Sequence, residues 1–391
     1  MSKLKIILIT NLSKSKGGAF IAALRISNIL KKIFNVKIIP PDIYSPVGKL
    51  KYLLALLLKK VFIGRSSYLN SLNLFSRISL NKIKFDILHL NWTGEETIAL
   101  DQIFRINKPI IWTMHDMWLP SSTEHFFDDP SIKRYTKKNL NNNFLKKIIF
   151  NKKKKIFQKK NIHLVANSNW LKNFAMKSEL TKKNKISLIY NPIKCEVWQR
   201  QNEYKSKKIL KLDTSKKYIL YGAYGGLKNY RKGGDLLLDS LKEINNMDKD
   251  IEIIVLGGNS NFTKKKFNIK FNFRKLETDQ KIQNMYHSSS ILTVCPYRAE
   301  SLPQFVIETL LCKNPVVAFD IGGMKEIITH KSNGFLAKAY DTKNFAKGIE
   351  YCLSKITQKK LSKSRNKIKK MFDEKKILKK YKNIIEELVT K

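Results

Sequence analysis

The 391-residue sequence carries 76 Lys and Arg against 31 Asp and Glu, a formal net charge of +45, and 43% of its residues are apolar. That apolar share supplies cores for two or three domains. The four cysteines (Cys195, Cys295, Cys312, Cys352) lack paired spacing and point to neither a zinc site nor a disulfide framework, so a reducing cytosolic compartment is expected.

The first apolar run, 5–10, is too short for a signal peptide and is read as a strand. No stretch has the length of a transmembrane helix. Further strands are predicted over 36–39, 87–90, 110–113, 163–166 and 186–190, alternating with amphipathic helices. Residues 192–213 are polar and without periodicity, and read as a linker. A second alternating series follows, with strands over 218–221, 251–256, 269–273, 291–294 and 315–319, and a closing helix from about 374. The pattern predicts an α/β protein of two Rossmann-like domains, whose parallel sheets face each other across a cleft.

The lysine excess raises nucleic acid as a partner, and AT-rich coding bias accounts for it equally simply. No helix-turn-helix, zinc-finger or aromatic RNA-binding motif accompanies it, so nucleic acid is not expected. An anionic membrane surface suits the charge better. In 49–64 the residues Leu50, Leu53, Leu54, Leu57, Leu58 and Val61 form one helical stripe, with Lys49, Lys51, Lys59 and Lys60 on its flanks or far side. This fits an interfacial helix, and equally an ordinary helix packed on a sheet. The lysine-rich 145–160 reads as a second basic helix, either solvated or lipid-facing.

Candidate site residues cluster at strand ends. Gly17 and Gly18 stand between the first strand and a helix through Ala22, Ala23 and Ile26, where backbone N–H groups could meet a phosphate; a diglycine is also a common turn. His115 follows the 110–113 strand, placing an imidazole at the ligand edge of the sheet. Arg231 and Lys232 lie in a glycine-rich loop before a helix, where they could stabilise a diphosphate leaving group without a metal; a basic loop is also ordinary in so lysine-rich a chain. Glu300 and Glu308 are eight residues apart, one in a loop after a strand and one on the helix that begins near Pro303. Such a pair can hold two hydroxyl-bearing parts of one ligand. It can also be a capping loop followed by a solvated helix face.

Together, Gly17-Gly18, Trp112-Thr-Met-His115-Asp116-Met-Trp118, Arg231-Lys-Gly233, Glu300 to Glu308 and the 314–326 segment resemble the bacterial glycosyltransferases of family 4 with the GT-B fold, the polysaccharide and lipopolysaccharide type. The resemblance implies an N-terminal acceptor domain (1–191), the linker (192–213) and a nucleotide-sugar domain (214–373). It also implies a C-terminal helix (374–391) able to return to the first domain. It implies retaining transfer from a UDP- or GDP-sugar, with no cofactor and no metal. By resemblance, Glu308 would bind the ribose, Glu300 the donor sugar, and Lys232 with Arg231 the diphosphate. Gly17 and Gly18 would add backbone amides, His115 would contact the sugar, and the backbone of Leu302 and Pro303 would touch the donor.

Two departures stand out. Gly226 occupies a position where many members carry arginine, and Ser301-Leu302-Pro303-Gln304 replaces the common Phe-Gly pair. A role for His125 would also follow from one branch of the family. The implied acceptor is a glycan or polyprenyl-diphosphate-linked chain at the cytoplasmic membrane face, with peripheral contact to anionic lipid. The competing expectations are a nucleotide-sugar epimerase or phosphorylase of similar fold, and a non-enzymatic polyanion-binding protein.

Overall fold

The computed structural model describes residues 4–11, 17–63, 70–80, 83–126, 143–159, 161–245 and 247–390. The chain divides into two units, Met1–Ile193 with Glu374–Lys391, and Lys194–Asp373.

The first unit runs β1 (Lys5–Ile9), α1 (Gly18–Leu30), β2 (Asn35–Ile39), α2 (Pro46–Phe62), β3 (Ile87–Leu90) and α3 (Leu100–Phe104). It continues with β4 (Ile110–Met114), α4 (Phe144–Phe157), β5 (Ile162–Ala166), α5 (Asn169–Lys177) and β6 (Lys185–Leu188). All strands pair in parallel in the order β2-β1-β3-β4-β5-β6. β3, β4 and β5 are buried along their whole length, which is why they read as short, mostly apolar runs, with His89, Thr113 and His163 buried among the aliphatics. The chain leaves β1 toward one side for β2 and toward the other for β3, so the carboxyl ends of β1 and β3 flank a switch point.

The second unit holds α6 (Glu203–Ile209), β7 (Lys217–Gly222), α7 (Gly234–Lys242), β8 (Ile251–Gly258), β9 (Phe262–Lys266), β10 (Ile269–Lys275) and α8 (Gln280–Ser288). After these come β11 (Leu292–Cys295), α9 (Gln304–Leu311), β12 (Val316–Phe319), α10 (Met324–Ile327), β13 (Gly334–Ala337), α11 (Thr342–Lys355) and α12 (Gln358–Met371). Its sheet has the order β13-β12-β11-β7-β8-β10-β9, parallel except for the edge strand β9. The switch point lies between β7 and β11.

Two strands escape the sequence pattern. β9 is Phe-Thr-Lys-Lys-Lys, exposed throughout, and joins β10 through Phe267 and Asn268, both with left-handed φ (52° and 59°). β13 is four residues, Gly-Phe-Leu-Ala, too short for a periodicity to show.

Residues 192–213 are not a free linker. From Lys194 onward the segment is packed into the second unit: Trp198 is fully buried, and Leu210 and Leu212 join a cluster with Tyr218, Leu220 and Ile254. α6 begins where the Asn202 side chain accepts from the Lys205 N–H. Its anchors are spaced irregularly, so no helical period announces them.

The closing helix α13 (Glu374–Val389) belongs to the first unit. Its Ile377, Tyr381, Ile384 and Ile385 share a buried cluster with Leu8, Ile26, Ile29, Leu30, Ile87 and Ile111. The Tyr381 hydroxyl lies 3.2 Å from the Thr113 Oγ1, itself 2.9 Å from the His89 Nε2.

The two basic helices differ in orientation. α4 turns its apolar stripe inward, burying Leu145, Ile149, Phe150, Ile156 and Phe157, so no lipid-facing stripe runs along it and only Phe144, at its first position, stands out as an exposed large apolar residue. Lys153 is buried with that stripe and donates to the carbonyls of Trp118, Ser121 and Ser122. α2 does the opposite: only Gly48 and Ala55 are buried, and Leu50, Leu53, Leu54 and Leu57 of its stripe are exposed while Leu58 is half-buried.

Ile385 is fully buried. Replacing it with Ala should cost about 2–4 kcal/mol, read as a lowered urea midpoint for a first-unit probe with the second-unit transition unchanged.

Candidate active site

Around the second switch point, the loops after β7, β11 and β12 are held together by backbone geometry. Gly233 has φ +64°, and a Cβ there would lie 1.8 Å from the Pro296 carbonyl oxygen. Gly322 has φ +53°, and a Cβ would lie 1.8 Å from the Glu300 carbonyl oxygen. Only glycine fits both the dihedral and the space. The Gly323 N–H donates to the Ser301 carbonyl (2.7 Å) and the Arg298 N–H to the Arg231 carbonyl (2.9 Å). The Arg298 guanidinium closes the latch on Asp235 with two bonds.

These loops bring Arg231, Lys232 and Glu300 into contact. Glu300 Oε2 accepts from Lys232 Nζ at 2.6 Å and from Arg231 Nη1 at 2.8 Å. The same Arg231 nitrogen also donates to the Ala299 carbonyl at 3.0 Å. Lys232 Nζ sits 3.9 Å from the centre of the Tyr297 ring, whose hydroxyl donates to the Gly222 carbonyl (2.7 Å). Burial works to raise the Glu300 pKa, but Lys232 and then Arg231 outweigh it and hold the value at about 2. For Lys232, burial prevails over the attraction of Glu300 and lowers the pKa.

Leu302 is buried, and Pro303 forms the N-cap of α9. Glu308 is only 7% exposed, which removes the reading of a solvated helix face. Gly226 has φ +59° beside Gly225 at +84°, so an arginine at this position would be strained.

His115 stands just beyond β4 in the first unit, its Nε2 3.2 Å from the Asn91 Oδ1 at the end of β3. Burial lowers its pKa to about 4, so it is neutral at physiological pH. Asp116 anchors the surrounding loops: it accepts from Trp92 Nε1 (2.9 Å) and the Trp118 N–H (3.0 Å), and lies 2.6 Å from His125 Nδ1. The other nitrogen of His125 lies 2.9 Å from Ser71 Oγ. His125 is therefore a buried loop-positioning residue. Gly17 is the N-cap of α1, and a Cβ on Gly18 would meet nothing within 4 Å. Residues 13–16 of that motif lie outside the described residues.

Sequence reading missed the loop after β3. There Glu95 and Glu96 both take left-handed φ (56° and 58°), and Asn11 Nδ2 donates to Glu95 Oε2 at 3.2 Å. Its one signal is a run of polar residues after a buried strand. Tyr297, the platform under Lys232, was also unmarked. Gly17, Gly18 and His115 belong to the first unit, and Arg231, Lys232, Glu300, Leu302, Pro303 and Glu308 to the second.

Residues 202–371 match the family model of glycosyl transferases group 1. The matched stretch contains β7 to β13 and the Arg231–Lys232–Glu300 cluster. Among curated proteins, the chain is similar to two uncharacterized glycosyltransferases of Methanocaldococcus jannaschii. One is 26% identical over 162 residues, covering 40% of each chain. The other is 27% identical over 246 residues, covering 60% of this chain and 61% of the relative. The matches thus span well under the full length of these relatives.

Among solved structures, sucrose-phosphate synthase of Thermosynechococcus elongatus superposes with a TM-score of 0.69 at 13% identity, covering 99% of this chain and all of the other. HepE of Anabaena, solved in complex with UDP-glucose, gives 0.64 at 17% identity over 98% of this chain and all of the other. The fold is GT-B, with two parallel-sheet Rossmann-like units.

His89 and His287 are fully buried, and burial lowers the pKa of each to about 3. Unfolding restores the ordinary value near 6.5, so between about pH 6.5 and 3 the unfolded chain binds more protons. Stability should fall on acidification through that window by about 1.4 kcal/mol per pH unit for each histidine. Denaturant midpoints measured from pH 7 to 5 check this, and His89→Gln should flatten the slope.

Proposed function

We propose that this chain is a retaining glycosyltransferase of the family 4 type. It moves a sugar from a UDP- or GDP-sugar to a glycan or polyprenyl-diphosphate-linked acceptor of cell-surface polysaccharide assembly, at the cytoplasmic face of the membrane. The observation that carries this reading is the Glu300 carboxylate shared by Lys232 and Arg231, set at a switch point inside the segment that matches glycosyl transferases group 1. That segment's likeness, and the UDP-glucose bound by HepE, support a nucleotide-sugar donor.

The chemistry follows from the charges. As the bond from the anomeric carbon to the diphosphate oxygen breaks, negative charge gathers on the leaving group. Lys232 and Arg231 donate hydrogen bonds to it and supply the counter-charge without a metal or other cofactor. The diphosphate competes with Glu300 for these two cations. A Glu300 carboxylate thus freed accepts from hydroxyls of the transferred sugar, and its low pKa keeps it ionised throughout. Glu308, buried on α9, accepts from the ribose hydroxyls. His115, neutral above about pH 4, suits contact with sugar hydroxyls.

Purified protein given radiolabelled nucleotide sugars should transfer or hydrolyse one of them in the presence of chelator. Lys232→Ala should cut the rate by about 10²–10³, and Glu300→Gln should reduce it with folding preserved. NMR of the product reads the anomeric configuration. Strict metal dependence, or full activity in both variants, would overturn the assignment. A product formed without any acceptor, isomeric with the donor, would identify an epimerase instead. A bound donor should also raise the melting temperature.

A further inference from the structure

α2 is turned inside out relative to an ordinary surface helix. Its protein-facing side is mostly small or polar: Gly48 and Ala55 are buried, Tyr52 and Leu58 are half-buried, with Tyr52 under the Arg77 guanidinium (5.2 Å), Lys51 Nζ donates to the Ser76 carbonyl (2.9 Å), and Lys59 Nζ donates to the Asn70 carbonyl (3.2 Å). A Cβ at Gly48 would lie 2.2 Å from the Asp42 carbonyl oxygen, so the helix is seated tightly on that side. The outward side is aliphatic. Val47, Leu50, Leu53, Leu54, Leu57 and Val61 are between 40% and 64% exposed and recur at helical spacing along the whole element. The apolar surface reaches the end of the helix and the start of α4: Phe62, the last residue of α2, is 48% exposed, its carbonyl accepts from the Asn143 side chain, and the neighbouring Phe144 is 70% exposed. Contiguous apolar surface of this kind marks an interaction face, unlike scattered exposed leucines.

We infer that α2 is an interfacial helix that seats the first unit on an anionic lipid surface. Three observations select lipid over protein. First, the face is built of leucine and valine, which are under-represented among protein-interface hot spots, whereas Trp, Tyr and Arg are enriched there. Second, exposed Lys49 and Lys60 sit near the two ends of the stripe, where their stems can lie along acyl chains while the ammonium groups reach headgroups. Third, the net charge of +45 attracts an anionic bilayer and repels a second copy of the chain. A 17-residue helix is about 25 Å long and lies in the interface plane, since no helix among the described residues is long and apolar enough to cross a membrane.

This inference rests on the proposed reaction only in that a lipid-borne acceptor gives the surface a purpose; the binding is tested without sugar. The full-length protein is co-sedimented with vesicles of phosphatidylcholine alone, and with vesicles in which about one-third is phosphatidylglycerol, at low and high salt. Wild type should bind the anionic vesicles at least tenfold more tightly than the neutral ones. A Leu50→Glu, Leu54→Glu, Leu57→Glu triple variant should lose at least tenfold on anionic vesicles, with unchanged melting and unchanged nucleotide-sugar binding. Because these side chains are exposed and Glu is a good helix former, folding is preserved. Three results would overturn the inference: wild type that pellets with neither vesicle, a triple variant that pellets like wild type, or lipid-free dimerisation abolished by the triple substitution. Lys232→Ala probes the transferase reading separately, since it should leave pelleting untouched.

Discussion

A carboxylate taken out of water must be met by positive charge or by hydrogen-bond donors, and Glu300 organises the second unit under that constraint. Its two cations come from a loop about seventy positions away in the sequence, which fixes where β7 and β11 must end relative to each other. Gly233 and Gly322 let three backbone segments approach closely enough for the meeting to occur. Tyr297 supports Lys232 from below, and Arg298 ties the loops together through Asp235. A residue with a side chain at either glycine would push the loops apart and strand a buried charge.

The first unit meets its own buried carboxylate, Asp116, with an indole, a backbone amide and an imidazole instead of lysine and arginine. At its switch point the polar side chains bond mostly to one another and to backbone, with Asp116 as the shared acceptor for Trp92 and the Trp118 amide and as the close partner of His125. His115 lies 3.2 Å from the Asn91 Oδ1, and its burial outweighs the pull of the nearby Asp116 carboxylate and keeps the ring uncharged. The two units therefore present different chemistry at equivalent places in similar sheets: a charged cluster in one, a mostly neutral hydrogen-bonding cluster in the other.

Much of this was legible in the sequence because parallel strands buried on both faces write themselves as short apolar runs, as in Ile110-Ile-Trp-Thr and Ile291-Leu-Thr-Val. The adjacent Arg231-Lys232 and the loop position of Glu300 were legible too, since strand ends followed by glycine mark ligand edges. Beyond β9, β13 and the loop after β3, other features were not. The orientation of α2 depends on which neighbours a helix meets, and an apolar stripe looks the same whether it faces core or solvent. The burial of Glu308 reflects packing on every side of α9, which i,i+4 spacing does not encode. The structure in 192–213 rests on Trp198, Leu210 and Leu212, anchors that bind by position in three dimensions rather than by period.

The placement of α13 carries a consequence for synthesis. The first unit is discontinuous: Met1–Ile193 completes its core only with Glu374–Lys391, and the whole of the second unit lies between them in the chain. On the ribosome, therefore, the second unit has all its residues before the first does. Until α13 emerges, the face of Ile26, Ile29 and Leu30 that it shares with Ile377 and Ile385 waits uncovered. Synthesis order thus lets the second unit complete its core first, while the first unit waits for its last helix.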